Sequence, residues 1–80
     1  MSALTLEELR RSCTGTYREV HLLLNGGAVS VKRVCYVPAK GEWVIVNEID
    51  GTRQWLTDAQ LWTDSNIGPW LDGGAVRIVP

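Results

Sequence analysis

The pattern of apolar and polar positions along the chain predicts a sheet of about five strands. Regular alternation of the two is typical of a strand with one buried face. It is present in Tyr17–Leu24, and the segments Ala28–Val37, Glu42–Ile49, Thr52–Leu56 and Ala75–Val79 are also predicted to be strands. Glycine-containing turns separate the first four segments, which is typical of antiparallel strands joined by hairpins. We therefore expect an antiparallel meander, with Ala75–Val79 as an edge strand.

The second and third segments add detail to this sheet. Apolar positions change parity between Val31 and Val34, so we expect a bulge or strong bend near Lys32-Arg33. Glu42–Ile49 is apolar on both parities and is expected to be a central strand. A bent second strand would curve the sheet into a small, partly open barrel. In layout, this arrangement resembles small SH3-like barrels, in which a short helical turn precedes the last strand.

Helical signals precede the sheet and recur before its last strand. Thr5-Leu6-Glu7-Glu8 and Thr57-Asp58-Ala59-Gln60 both have the form of a capping box, which starts a helix. Gly15 is expected to end the first helix, and Gly68-Pro69 to keep the later turns short. The predicted fold class is therefore α+β. A single domain is expected over 1–80, with the N-terminal helix in 1–15, the sheet in 16–80 and a short helical insert in 57–72.

Composition indicates a folded globular chain. Of its 80 residues, 45% are hydrophobic and 21% are charged, which are near-average values. The longest apolar runs, Leu22–Leu24 and Trp43–Val46, are far shorter than the ~20 residues of a membrane-spanning helix. Met1–Leu4 lacks the basic and apolar regions of a secretory signal. We therefore expect no membrane partner and a cytoplasmic location.

Residues that could carry chemistry are few. His21 is the only histidine, and with Cys13 and Cys35 it does not have the spacing of a zinc site. A nucleophile–base pair would also lack its third, orienting group. The carboxylates Asp50, Asp58 and Asp64 lie at predicted turns and caps. We expect no enzyme activity, no metal and no cofactor, with both cysteines as free, buried thiols.

Charge and tryptophan content favour surface recognition. Residues 1–40 hold six basic and three acidic groups, whereas 41–80 hold two basic and six acidic groups. The chain has four Trp and no Phe, and Trp is enriched at binding interfaces. We expect Trp43 or Trp70 in the core. The leading hypothesis is a non-enzymatic protein-binding module with an acidic, Trp-containing face. Its expected contacts are Trp55, Trp62, Asp58, Asp64, Glu48 and Asp50, with Trp55 or Trp62 exposed.

The protein-binding hypothesis has a narrower form, in which the protein is an inhibitor, and there are two alternative functions. Small size and acidity are typical of phage or mobile-element inhibitors of host nucleic-acid machinery, of the anti-CRISPR or anti-restriction type. One alternative is nucleic-acid binding by the basic N-terminal half, although a pI near 5.7 disfavours it. The candidate contacts for that alternative are Arg10, Arg11, Arg18, Lys32 and Arg33. The other is a homo-oligomeric structural subunit, such as a homodimer paired through the Ala75–Val79 edge.

Overall fold

The computed structural model describes residues 4–65 and 67–79. Its helices are α1 (Leu6–Cys13), α2 (Gln60–Thr63) and α3 (Ile67–Asp72), and its strands are β1 (Arg18–Leu23), β2 (Val29–Val37), β3 (Glu42–Asn47), β4 (Arg53–Leu56) and β5 (Val76–Ile78). A 3-10 turn, Asn25–Gly27, joins β1 to β2. The α+β prediction is confirmed, including the short helices before the last strand. The prediction that the N-terminus lacks the features of a secretory signal rests mainly on Met1–Ala3, which lie outside the described residues.

The five strands form one antiparallel sheet in the order β4–β3–β2–β1–β5. The first four strands are a meander, as predicted, and β5 pairs with the far side of β1 from Val20↔Ile78 to Leu22↔Val76. This places β5 at an edge, as expected, and gives β3 a neighbour on each side, although β2 is the middle strand. The sheet is open, with β4 and β5 as its two edges. It does not close into the SH3-like barrel considered above.

The bulge predicted near Lys32-Arg33 is absent. Each residue of β2 from Val29 to Val34 faces one residue of β1, and each from Lys32 to Val37 faces one residue of β3. An inserted residue would interrupt these registers. The prediction of a bulge was wrong because it assumed that β2 has only one apolar face. In fact Val34 faces the helices, whereas Val29 and Val31 face the other way. The alternative, a strong bend near Lys32-Arg33, stays a prediction.

The core lies between one face of the sheet and the three helices. Helix α1 contributes Leu9 and Cys13, and the sheet contributes Trp43, whose side chain is 0% exposed. The remaining members of this cluster are Val20, Leu22, Val34, Ile45, Leu56, Leu61, Ile67, Leu71 and Val76. The expectation that Trp43 is a core residue is confirmed. We call this side of the sheet the helix side.

The reciprocal hydrogen bonds of both predicted capping boxes are formed, but only the first caps its helix, because α2 has Ala59 as its N-cap and no side-chain cap. In the first, the Thr5 hydroxyl accepts a hydrogen bond from the Glu8 amide at 3.1 Å, and the Thr5 amide donates to the Glu8 carboxylate at 3.2 Å. In the second, the Thr57 amide donates to the Gln60 side chain at 2.9 Å, and the Gln60 amide donates to the Thr57 hydroxyl at 3.3 Å. The first box satisfies amides that the start of α1 would otherwise leave unpaired.

Candidate protein-binding surface

The face of the sheet opposite the helices has no second layer in the part of the chain that the structure describes. Because facing residues on neighbouring strands share a side, the registers place eight apolar or aromatic residues there: Leu23, Val29, Val31, Cys35, Val37, Val44, Val46 and Trp55. The buried pair Cys35 and Val44 is not part of the helix-side core cluster. We call this side the open face.

Trp55 is the most prominent aromatic side chain on the open face. It lies on the edge strand β4 directly opposite Val44 and is 46% exposed. The ammonium of Lys40 is 4.5 Å from the centre of its ring, which is cation–π distance. Trp62 is only partly exposed, packs against the helix-side core and donates to the Asp72 carboxylate at 2.8 Å. Of the two tryptophans expected near the surface, Trp55 is therefore the exposed one.

Asp58 lies on the helix side and is engaged within the protein. Its two carboxylate oxygens accept from the indole N–H of buried Trp43 at 2.6 Å and from the Arg10 guanidinium at 2.5 Å. The Arg10 guanidinium carbon is 5.1 Å from the centre of the Tyr36 ring. Arg10 Nε is buried and has no hydrogen-bond partner among the described residues. These contacts tie α1 to the sheet and give Asp58 a structural role.

The other acidic candidates lie apart from Trp55. Glu48 Oε1 is 2.8 Å from Arg33 Nε. Asp50 accepts from the Thr52 amide at 3.0 Å and from the Thr52 hydroxyl at 2.7 Å, inside the β3–β4 turn. These hydrogen bonds hold the pKa of the Asp50 carboxyl below its ordinary value of 3.8. Asp64 ends α2 on the helix side. The structure therefore does not gather the six predicted contacts on one face.

The basic candidates for nucleic-acid binding are also distributed over the molecule. Arg10 and Arg33 pair with Asp58 and Glu48, which come from the acidic half of the sequence. The Arg11 guanidinium lies 3.9 Å from the Glu7 carboxylate, and Arg18 donates to the Ser12 carbonyl at 3.1 Å. Lys32 lines two grooves beside the sheet. Folding therefore intermixes the basic and acidic halves of the sequence, so neither half forms a surface of a single charge sign.

Sequence reasoning missed the end of the sheet where the β1–β2 and β3–β4 turns lie. Five of the seven exposed large apolar or aromatic residues in the described part are here, so the exposure is concentrated rather than scattered: Leu23, Leu24, Val29, Val31 and Ile49. We call these five the hairpin end. The sequence did contain a sign of this exposed surface, because the odd-numbered valines of β2 indicated a second apolar face on that strand. Ile49 was assigned to a strand that in fact ends at Asn47.

Both cysteines are free and buried, as expected. Burial raises the pKa of the Cys13 thiol to about 11; the nearby Cys35 also raises it, and Arg18 lowers it. A thiol with a raised pKa is a poor nucleophile at neutral pH. His21 lies on β1 and forms a 2.7 Å hydrogen bond with Glu19.

Over residues 4–65 and 67–79, no three His, Cys, Asp or Glu side chains are grouped as metal ligands would be. Within the same residues, no helix has the length and apolar character needed to cross a membrane. Comparison with protein-family models, with curated proteins and with solved structures found no match for this chain. Any function must therefore be argued from the surfaces described above.

Proposed function

We propose that the protein is a non-enzymatic protein-binding module that contacts its partner through the open face, with Trp55 at the centre of the contact. The observation that carries this proposal is a half-exposed tryptophan on a sheet face that carries both apolar and charged residues and that no described helix covers. Tryptophan is the residue most enriched among binding hot spots, because it offers a large area and one hydrogen-bond donor. Contiguous exposed apolar surface is typical of interaction sites.

The surroundings of Trp55 support this role. Its backbone is held in β4 by pairing with β3, and Lys40 stacks on its ring. A side chain that is already positioned loses less conformational entropy when a partner binds. Arg53 is exposed next to it on β4, and Glu42 is partly exposed at the start of β3. An apolar centre with a polar surround is the usual anatomy of a protein interface.

Within this class, we propose an inhibitor of a host nucleic-acid-handling machine, of the anti-CRISPR or anti-restriction type. The support is the small size of the chain and the four carboxylates of its second half that are exposed, Glu48, Asp50, Asp64 and Asp72. Carboxylates that meet a basic channel compete with nucleic acid for it. The narrower proposal is tested by adding the protein to DNA-cleavage assays with the host's purified restriction and CRISPR enzymes. Unchanged cleavage by all of them would overturn it.

The broader proposal is tested by affinity capture from a lysate of the host. Immobilised protein is expected to retain a specific partner, and Trp55→Ala to reduce its recovery by about tenfold or more. Tyr17→Ala is the matched control, because it removes an aromatic side chain of similar exposure, 44%, that lies outside both the Trp55 contact and the hairpin end. Recovery of no specific partner, or equal recovery by Trp55→Ala, contradicts the proposal. Circular dichroism checks that both variants are folded.

Nucleic-acid binding by the N-terminal half stays a prediction. Three of its five candidate basic residues, Arg10, Arg11 and Arg33, are paired with carboxylates, which reduces the charge available to phosphates. A mobility-shift assay at low salt tests it directly. A shift that weakens steeply as salt rises would favour nucleic acid over protein as the partner.

A further inference from the structure

The hairpin end carries both a protruding apolar side chain and a partly apolar groove. Ile49 is 95% exposed, the highest value among the exposed large apolar residues. Beside it lies a groove of about 420 Å³, lined by the apolar Leu24, Val29, Val31 and Ile49 itself and by the polar Ser30, Lys32, Asn47 and Glu48. We infer that the hairpin end is the interface of a symmetric homodimer, in which Ile49 of each copy packs into the groove of the other.

A twofold symmetric interface requires that a protruding side chain and the groove that receives it lie on the same surface. In such an interface the same patch meets itself, so each feature must find its complement on the same surface. An Ile49 side chain packed into the groove would cover Val29 and Val31, and the symmetry repeats that burial. The apolar side chains that line the groove are thus buried twice per dimer. A partner of different sequence would have to supply the second half of this burial itself.

The turn that carries Ile49 is held in place before any partner arrives. The Ile49 amide donates to the Asn47 side chain at 2.9 Å, and the Gly51 amide donates to the Asn47 carbonyl at 2.8 Å. On the other side of Ile49, the Asp50 carboxylate accepts from Thr52. Isoleucine is itself restricted at its first side-chain torsion. Little conformational entropy is therefore lost when Ile49 is buried.

The backbone beside the groove also has unused hydrogen-bonding groups. Pairing of β2 with β3 stops at Lys32↔Asn47, although β2 continues back to Val29. The Leu24 amide donates to the Ala28 carbonyl at 2.8 Å. By alternation, the peptide groups of Val29 and Val31 then point away from β1, towards the groove. No strand in the described residues pairs with them there. Such free strand edges readily pair with another chain.

The charges around the hairpin end are compatible with self-association. Lys32 and Arg33 are basic, and Glu48 and Asp50 are acidic, so the region is balanced. The lowered pKa of Asp50 keeps its carboxylate ionised at neutral pH. A patch of one sign would repel its own copy, whereas a patch with both signs does not. This interface differs from the homodimer predicted through the Ala75–Val79 edge strand. It lies at the end of β3 and β4 opposite to Trp55.

Sedimentation equilibrium over a wide concentration range tests the dimer. The wild-type mass is expected to approach twice the 8.9 kDa of one chain. Ile49→Asp is expected to raise the dimer dissociation constant by at least about 100-fold, because each hot-spot loss is repeated by the symmetry. Val31→Lys, in the groove, is expected to weaken the dimer in the same direction.

Trp55→Asp is the matched control and is expected to leave the dimer intact. Circular dichroism of Ile49→Asp is expected to match the wild type, because this side chain is almost fully exposed. A wild-type mass that stays at one chain up to about 1 mM, which is the range of weak association, overturns the inference. So does a dimer that Ile49→Asp does not weaken. Neither result depends on the capture of another protein through Trp55.

Discussion

Replacing Asp58 with alanine tests whether this carboxylate is a structural group or a free contact for a partner. In the structure it accepts from the indole N–H of Trp43, whose side chain is fully buried. Asp58→Ala leaves that N–H without its acceptor, which costs about 1–3 kcal/mol. Loss of the partly exposed pair with Arg10 adds at most about 1 kcal/mol. We therefore expect a total loss of about 1–4 kcal/mol, centred near 2–3 kcal/mol.

This loss is a large part of the stability of so small a chain. Eighty residues at about 0.05–0.15 kcal/mol each give roughly 4–12 kcal/mol in total. At about 4–8 °C per kcal/mol, the melting temperature of Asp58→Ala is expected to fall by roughly 10–20 °C. Asp58→Asn retains an oxygen that can accept from Trp43, so it is expected to cost only about 1 kcal/mol. Guanidinium unfolding followed by tryptophan fluorescence measures both values.

A double-mutant cycle isolates the hydrogen bond itself. Trp43→Phe removes the N–H donor, so Asp58→Ala is expected to cost about 1–2 kcal/mol less in that background than in the wild type. Equal costs in both backgrounds would refute the assignment. So would a cost below about 0.5 kcal/mol in the wild type, which is the range of ordinary surface substitutions. In that case Asp58 would return to the list of candidate partner contacts.

Three further predictions follow from single contacts. Gly68→Ala is expected to destabilise the protein by about 1–3 kcal/mol in denaturant unfolding, because its Cβ would lie 2.4 Å from the Trp62 ring. Cys13, with a pKa of about 11, is expected to react with thiol reagents at pH 8 far more slowly in the folded than in the unfolded protein. Its contribution to stability is complete below the ordinary thiol pKa of 9.0 and is lost as the pH rises towards 11. Asp50 contributes stability above pH 3.8 that is lost as the pH falls through its lowered pKa. Thr52→Val is expected to raise that pKa in an NMR titration.

Each of the three has a control or an opposing outcome. Gly73→Ala is the control for Gly68→Ala, since its nearest neighbour would be an ordinary 3.6 Å away; equal effects of the two would contradict the steric argument. Fast labelling of Cys13 in the folded state would show that it is accessible. An Asp50 pKa that does not respond to Thr52→Val would show that another group holds it down.

The sequence predicted those parts of the fold that depend on neighbouring residues. Each capping box requires only residues three positions apart, and the hydrogen bonds of both are formed. The Asp50-Gly51 hairpin likewise follows from local turn chemistry. Pairing of β5 with β1 joins Val20 to Ile78 and has no local signal. The position of β5 at an edge was predicted from its exposed Arg77, but its neighbour was not.

The candidate surface was harder to predict because it depends on which face of each strand is covered. The sequence reasoning assumed one buried face for β2 and explained the second apolar parity by a bulge. In the structure, the second parity forms part of the open face. Asp58 was considered a surface contact because its partners, Arg10 and Trp43, lie 48 and 15 residues away in the chain. Trp55 was the candidate contact whose exposure the sequence anticipated.

The pairing of β5 with β1 also has a consequence for the order in which the chain folds. The β1–β2 and β3–β4 hairpins close short loops, whereas pairing Leu22 of β1 with Val76 of β5 closes a loop of about two thirds of the chain. Long loops cost more entropy and slow the formation of the contacts that need them. During synthesis, the meander can assemble while one side of β1 is still unpaired. Until Val76–Ile78 leaves the ribosome, that side of β1 is an exposed edge on which newly made chains can aggregate.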